Sequence, residues 1–137
     1  MRISVTAAAA ALALGGCGGI DLPLRGGGVP DDALGRWTLV SVNRADAVQG
    51  AGAYIEVEAD RISGRSGCNS FGVPLTRIPD GVRFGDGQST LMACSQDLMD
   101  QESSLMSVFE GVGRISVSAE GELVIIGGQG SSAVFRR

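Results

Sequence analysis

The sequence contains no histidine and no lysine, and these two absences remove most familiar catalytic mechanisms. Without histidine the chain has no Ser-His-Asp or Cys-His nucleophile, and it lacks the commonest metal ligand. Without lysine it has no Schiff-base chemistry and no Ser-Lys dyad. All 11 basic residues are arginines, they are scattered, and the net charge is −4. We therefore expect no nucleic-acid partner, since that role needs a clustered positive surface.

Aromatic residues are also scarce, with one Trp, one Tyr and four Phe, so the core must be built from Val, Ile, Leu and Met. The cysteines form no CxxC pair and have no histidine beside them, and we expect neither a metal nor another cofactor.

The longest apolar run stands at the N-terminus. Arg2 precedes a mostly apolar segment, residues 3–14, whose helix would reach only about 18 Å of the ~30 Å hydrocarbon core of a membrane. The pattern is typical of a secretory signal. The segment ends in Leu-Gly-Gly-Cys17, which resembles the lipobox of bacterial lipoproteins, where the cysteine is lipidated and begins the mature chain. We predict a signal peptide over residues 1–16 and lipidation of Cys17; the alternative is an ordinary signal peptide with an incidental cysteine.

The residues that follow Cys17 predict a flexible tether and then one domain. Residues 17–33 are rich in Gly, Pro and Asp and show no apolar period. Residues 34–137 suffice for a single modest core. Gly18, rather than Asp, follows the cysteine, and this resembles the sorting signal for the outer membrane. We expect a monomer that is anchored to the membrane through lipid on Cys17 and faces the periplasm.

Apolar periodicity divides the domain into strands and one helix. In the first predicted strand, "GRWTLVSVN", Trp37, Leu39 and Ser41 alternate with Val40 and Val42. Further strands are joined by turns at Asp60-Arg61 and Pro79-Asp80-Gly81, which predicts antiparallel hairpins. Residues 95–111 have helical spacing, with Ser95 as N-cap and Gly111 at the C-terminus. The pattern predicts a mainly β (α+β) fold: a curled antiparallel sheet or open barrel of about seven strands with one amphipathic helix.

Three motifs in a fixed order carry a family resemblance. They are Gly67-Cys68-Asn69, then Thr90, Met92, Ala93 and Cys94 in "TLMAC", and then a Met-x-x-Glu pattern that ends at Glu102. Together they resemble the META domain, also called the HslJ-like domain, over residues 35–137. Leu91 departs from the pattern, because many relatives carry arginine there. The resemblance implies a small β domain with one helix in secreted proteins or lipoproteins, no established enzymatic activity, and an association with heat shock and tolerance of toxic compounds.

The motif residues admit structural and chemical interpretations. Cys68 and Cys94 are an even pair in an oxidising compartment, and we favour a disulfide, worth ~3.5 kcal/mol for this loop, over two unpaired buried thiols or reactive ones. We expect the Asn69 side chain to bond neighbouring backbone groups or to tolerate a positive φ. Glu102 is either a buried acid paired with an arginine such as Arg65 or Arg77, or a solvated carboxylate.

Three functions follow from these interpretations. The first is a non-enzymatic, stress-protective or binding module of the envelope. The second is an assembly helper that holds a partner between helix and sheet. The partner is either an envelope protein, through a segment of an outer-membrane protein, or an apolar ligand such as an acyl chain. Met92, Met99 and Met106 recur every seven residues and would line such a groove or simply fill the core. The third, which we do not favour, is a hydrolase that uses Asp97, Asp100 and Glu102.

Overall fold

Antiparallel strands, most of them joined by short turns, form most of residues 26–137, the part of the chain that the computed structural model describes. Eight of the strands close into a barrel, because β1 pairs with β10 as well as with β3. Two short strands are added outside this circuit: β2 pairs with β1, and β7 with β5. The strands are β1 (Gly35–Val42), β2 (Ala45–Asp46), β3 (Tyr54–Val57), β4 (Arg61–Arg65), β5 (Ser70–Ile78), β6 (Gly81–Phe84), β7 (Gln88–Ser89), β8 (Val112–Val117), β9 (Leu123–Ile126) and β10 (Ser132–Arg136). The predicted mainly β fold with one helix is confirmed, and the pairing of β1 with β10 makes the barrel closed rather than open.

The barrel core comes from apolar residues at alternate positions of the strands, as the sequence predicts. Trp37, Ile55 and Phe135 are almost fully buried inside it. The alternation in β1 is broken once, because the register with β10 shifts between Leu39 and Ser41. Val40 is the extra residue of this bulge, so Val42 points inward where strict alternation predicts Ser41.

Strand directions define two ends of the barrel. The upper end carries the turn 66–69 between β4 and β5, the segment 85–95 after β6, and the helix α1 (Gln96–Val108). The lower end carries the turns 58–60, 79–80 and 118–122. Consecutive antiparallel strands run alternately up and down, so every second connection returns to the same end. The sequence motifs at 66–69, 90–94 and 99–102 are therefore brought to one end, where hydrogen bonds join residues up to 35 positions apart.

The residues that precede β1 close the lower end. The backbone N–H of Gly28 donates to the Gly81 carbonyl at 2.7 Å, and a short 3₁₀ turn, Asp31–Ala33, buries Ala33 completely. The Trp37 indole N–H donates to the Ala33 carbonyl at 2.8 Å. The tether predicted over 17–33 must therefore end before Gly28, because hydrogen bonds and burial fix the chain from there on.

The helix α1 lies within the range predicted from periodicity, residues 95–111, and ends three residues earlier. Its inward face packs Leu105 and Val108 over the upper end. Just past its C-terminus the Phe109 ring is stacked on Phe71 of β5, with a centroid distance of 5.6 Å, and meets Phe84 of β6 edge to face at 5.7 Å. Gly111 has a φ of 66°, as expected for a glycine that turns the chain after a helix.

Candidate functional site

The turn between β4 and β5, residues 66–69, is built around a buried serine. Ser66 Oγ accepts hydrogen bonds from the backbone N–H groups of Cys68 (3.4 Å) and Asn69 (3.1 Å). Gly67 has a φ of 106°, which strongly favours glycine. A Cβ atom there would also lie 3.1 to 3.2 Å from side-chain atoms of Ala51, Leu98 and Gln101. The glycine of the motif thus lets the helix approach the turn.

Asn69 uses every hydrogen-bonding position of its side-chain amide. Its Oδ1 accepts from the Met92 N–H at 2.7 Å and from the Thr90 hydroxyl at 2.8 Å. Its Nδ2 donates to the Met92 carbonyl at 3.2 Å and to Glu102 Oε2 at 2.9 Å. The amide orientation follows from its partners, because a backbone N–H can only donate and a carboxylate can only accept. The expected backbone bonds are present, but they reach a segment 23 residues away rather than its neighbours, and the positive φ belongs to Gly67.

Glu102 fits neither of its two predicted environments. Its side chain is 8% exposed, so it is not a solvated helix-face carboxylate. Its partner is the Asn69 amide rather than Arg65 or Arg77, and the ion pairs formed within residues 26–137 join Arg36 to Glu56 and Arg136 to Glu122. A charge-assisted hydrogen bond to an amide therefore connects the helix to the turn.

Gln101, the preceding helix residue, makes a second connection that the sequence analysis missed. Its Nε2 donates to the Ser66 carbonyl at 2.7 Å, and its Oε1 accepts from the Val48 N–H at 2.7 Å. Consecutive helix residues thus attach α1 to the turn 66–69 and to the loop after β2. The available signal was a polar pair, Gln101-Glu102, one turn before the apolar Leu105.

A disulfide joins the turn to the residue that precedes the helix N-cap. Cys68 and Cys94 are bonded through sulfur with a Cα–Cα distance of 6.0 Å, as the sequence interpretation favoured. Cys68 is buried and Cys94 is half-buried. The covalent bond and the Asn69 network therefore hold the same two segments, residues 66–69 and 90–94.

The barrel wall separates next to this network. β6 pairs with β8 only over Val82 and Arg83, after which the chain moves away and forms β7 against the upper part of β5. A groove opens between segment 85–93 on one side and α1 with residues 109–111 on the other. It consists of two adjoining depressions of about 390 and 460 Å³ that share Ser89 and Met106 in their walls.

The lining of the groove combines apolar side chains, which form its floor and part of both walls, with carboxylates. Met92, Met99, Met106 and Phe109 supply apolar surface from both walls. Leu91, 94% exposed, stands beside Met92, 58% exposed, and Ala93 is exposed as well. Three carboxylates line the groove: Asp86, Glu102 and Glu110. No arginine lines either depression.

Of the three acids considered for hydrolysis, only Glu102 lines the groove. Asp97 and Asp100 are exposed elsewhere on the helix. The Ser95 hydroxyl donates to Asp97, and this bond, together with the Leu98 N–H at 2.9 Å, holds the pKa of Asp97 below its ordinary value. Ser95 thus occupies the predicted N-cap position but bonds the first-turn carboxylate rather than a backbone N–H. Within residues 26–137, no group of three or more cysteine or acidic side chains is placed to hold a metal ion.

The predicted motif residues come together at the upper end, within the part of the chain that a family model matches. A family model, the META domain, matches residues 32–137. The chain belongs to the META domain family. The match begins two residues before the predicted domain boundary at 34, within the 3₁₀ turn that buries Ala33.

Two solved structures share the fold of this META domain. One is an NMR structure of a protein from Burkholderia xenovorans, with a TM-score of 0.59, 21% sequence identity, and coverage of 75% of this chain and 81% of that one. The other NMR structure has a TM-score of 0.61, 17% identity, and coverage of 76% and 89%. A search of curated proteins found no match. These likenesses extend to the fold and carry no activity.

Two predictions concern the N-terminal region of the META protein. The signal peptide over 1–16 and lipidation of Cys17 lie outside the described residues. From Gly26 onward, the helices are all too short or too polar to cross a membrane.

Proposed function

We propose that this META domain protein is a non-enzymatic binding module, lipid-anchored through Cys17 at the periplasmic face of the outer membrane. The protein acts as a monomer in this proposal. It helps an envelope protein to assemble, or protects the envelope under stress, by holding an apolar segment or ligand. The observation that carries it is the open groove between segment 85–93 and α1, with methionines on both walls. Methionine side chains are flexible and polarisable, which suits a surface that adapts to several partners.

The hydrogen bonding of the polar motif residues favours a binding function over a catalytic one. The side-chain groups of Asn69 are all engaged with protein partners, and the Thr90 hydroxyl bonds both Asn69 and the Ser70 N–H. The Asn69 amide has no donor or acceptor position left for a substrate, because protein partners fill all four. The hydrogen bonds of Asn69 and Thr90 join segment 90–94 and α1 to the turn 66–69. They stabilise the wall of the groove, which favours a structural role for the motif and a binding role for the surface beside it.

The position of the tether supports an envelope role. The chain that leads back to Cys17 leaves the barrel at the lower end, where Gly28 is bonded to Gly81. The groove lies at the upper end. A lipid on Cys17 would therefore hold the lower end toward the membrane and leave the groove directed into the aqueous space.

A neutral apolar fluorescent probe, N-phenyl-1-naphthylamine, tests the groove. The chain carries Cys17→Ser so that no acyl chain competes. Ser103 is exposed and lines the groove, whereas Ser116 is exposed on the outer wall of β8. We expect Ser103→Trp to weaken probe binding at least fivefold and Ser116→Trp to leave it unchanged. Equal effects of the two substitutions, or no binding to the parent chain, would refute the proposal.

A further inference from the structure

The groove combines three features that together specify a kind of partner: an apolar floor, carboxylates without basic neighbours, and the free side of a short strand. Resting on the proposed binding function, we infer that its occupant is an extended polypeptide segment in which apolar and basic residues alternate.

The length of the groove fits a short extended segment. The helical part of its wall runs from Met99 to Met106, where seven residues of helix rise about 10 Å, and residues 109–111 extend the wall past the end of α1. An extended chain covers about 3.3 Å per residue, so about three residues span the helical part and a segment of a few residues fits the groove. The apolar floor includes Phe84 and Phe109, which suits large aliphatic or aromatic side chains at alternate positions of that segment.

The strand β7 provides the backbone part of the site. It is hydrogen-bonded to β5 along one side only, at Phe71 and Gly72, and its residues Gln88 and Ser89 line the groove. An added strand can use the backbone groups on such a free side, which is how several peptide-binding domains recognise extended segments. An acyl chain has no donors or acceptors to use there, so this feature favours a polypeptide.

The acidic groups of the groove favour a positively charged partner. Asp86 and Glu110 are both exposed at the same depression. Neither is among the ion pairs formed within the described residues, which join Arg36 to Glu56 and Arg136 to Glu122. With no arginine in the lining, an occupant with basic residues gains attraction, and an anionic occupant meets repulsion.

Three synthetic peptides of equal length test the inference on the full chain carrying Cys17→Ser. Each has leucine at odd positions, and the even positions are arginine, glutamine or glutamate. We expect affinities in the order arginine, glutamine, glutamate, measured by isothermal calorimetry. Asp86→Asn with Glu110→Gln should cut the affinity for the arginine peptide about three- to tenfold and leave the glutamine peptide unchanged.

The matched control removes two exposed acids at turns of the lower end, Glu58→Gln with Glu120→Gln, which changes the net charge equally. It should have no effect on the arginine peptide. An equal loss in the control would mean attraction to the whole acidic protein and would overturn the inference.

The remaining outcomes separate this inference from the binding function itself. If the neutral probe binds in the groove but no peptide does, the polypeptide occupant is wrong and the proposed function stands. If decanoic acid binds more tightly than the arginine peptide and displaces it, the occupant is an acyl chain. If the chain self-associates and Ser103→Trp abolishes the association, the occupant is a second copy.

Discussion

The change Asn69→Asp keeps the shape of the central amide and reverses one half of its hydrogen bonding. An aspartate oxygen in place of Oδ1 still accepts from the Met92 N–H and the Thr90 hydroxyl. The other oxygen replaces Nδ2 and faces two acceptors, Glu102 Oε2 at 2.9 Å and the Met92 carbonyl at 3.2 Å. The substitution therefore removes two donors and brings a second carboxylate against a buried one.

The expected cost follows from these contacts. Leaving a buried acceptor without its donor costs about 1–3 kcal/mol, and two acceptors are affected. Repulsion between the two carboxylates adds to this at neutral pH. We expect the free energy of unfolding to fall by about 3–5 kcal/mol at pH 7, a large part of the ~5–15 kcal/mol typical of a domain.

Urea denaturation of the oxidised protein measures this change, and the chain offers a matched control. Asn43 is the other asparagine of the sequence, is exposed, and only accepts a hydrogen bond, from the Ser132 N–H at 2.9 Å. Asn43→Asp keeps that acceptor and should change stability by less than about 0.5 kcal/mol.

A second-site change checks the mechanism. In the Asn69→Asp chain, Glu102→Gln supplies an amide donor to the new carboxylate and should recover about 1–2 kcal/mol. If Asn69→Asp costs no more than Asn43→Asp, or if Glu102→Gln destabilises it further, the role assigned to the Asn69 network is refuted.

Three further predictions concern other parts of the chain. Replacing Cys68 and Cys94 together by alanine should lower the free energy of unfolding by about 3.5 kcal/mol in urea, because the 26-residue loop is no longer closed; a loss below about 1 kcal/mol would contradict this. Since the pKa of Asp97 is lowered in the folded state, its stabilisation is present at neutral pH and is lost as the pH falls through that pKa. Asp97→Asn should therefore lower the urea midpoint at pH 7 and lower it by less at acidic pH; equal shifts at both pH values would refute this. Cells that express the chain should incorporate radiolabelled palmitate into it, and Cys17→Ser should abolish the label, whereas label that persists would exclude this lipidation site.

The features of the fold that depend on neighbouring residues could be predicted from the sequence. The Pro79-Asp80-Gly81 turn predicts the hairpin of β5 and β6, and the helical spacing predicts α1. Barrel closure through β1 and β10 was not predictable, because it joins residues almost 100 positions apart. The bulge at Val40 was not predictable for a related reason. It is defined by the register of β1 with β10, and the local alternation of residues in β1 contains no information about that register.

The candidate site was predictable in part. The motif order indicated that Cys68, Asn69, Cys94 and Glu102 belong together, but not which atoms meet. Charge alone suggests an arginine partner for a buried glutamate, whereas the partner is the Asn69 amide of the turn 66–69. The groove was even less predictable from the sequence, because it forms where β7 departs from the barrel wall and no residue pattern marks that separation.

The contacts at the upper end assign a structural role to the motif residues of this chain. The disulfide and the Asn69 network hold segment 90–94 against the turn 66–69. That segment presents Leu91 and Met92 to solvent beside the groove. The motif therefore stabilises a surface, and the proposed binding would depend on the residues that the motif positions.

An NMR titration of the isotope-labelled chain with the leucine–arginine peptide tests most directly whether the groove is the binding site. We expect the largest amide shift changes in residues 85–93 and 99–111, with little change in the lower turns 58–60, 79–80 and 118–122. Saturation with the largest changes at the lower end or on the outer barrel wall, or no change at all, would contradict the assignment.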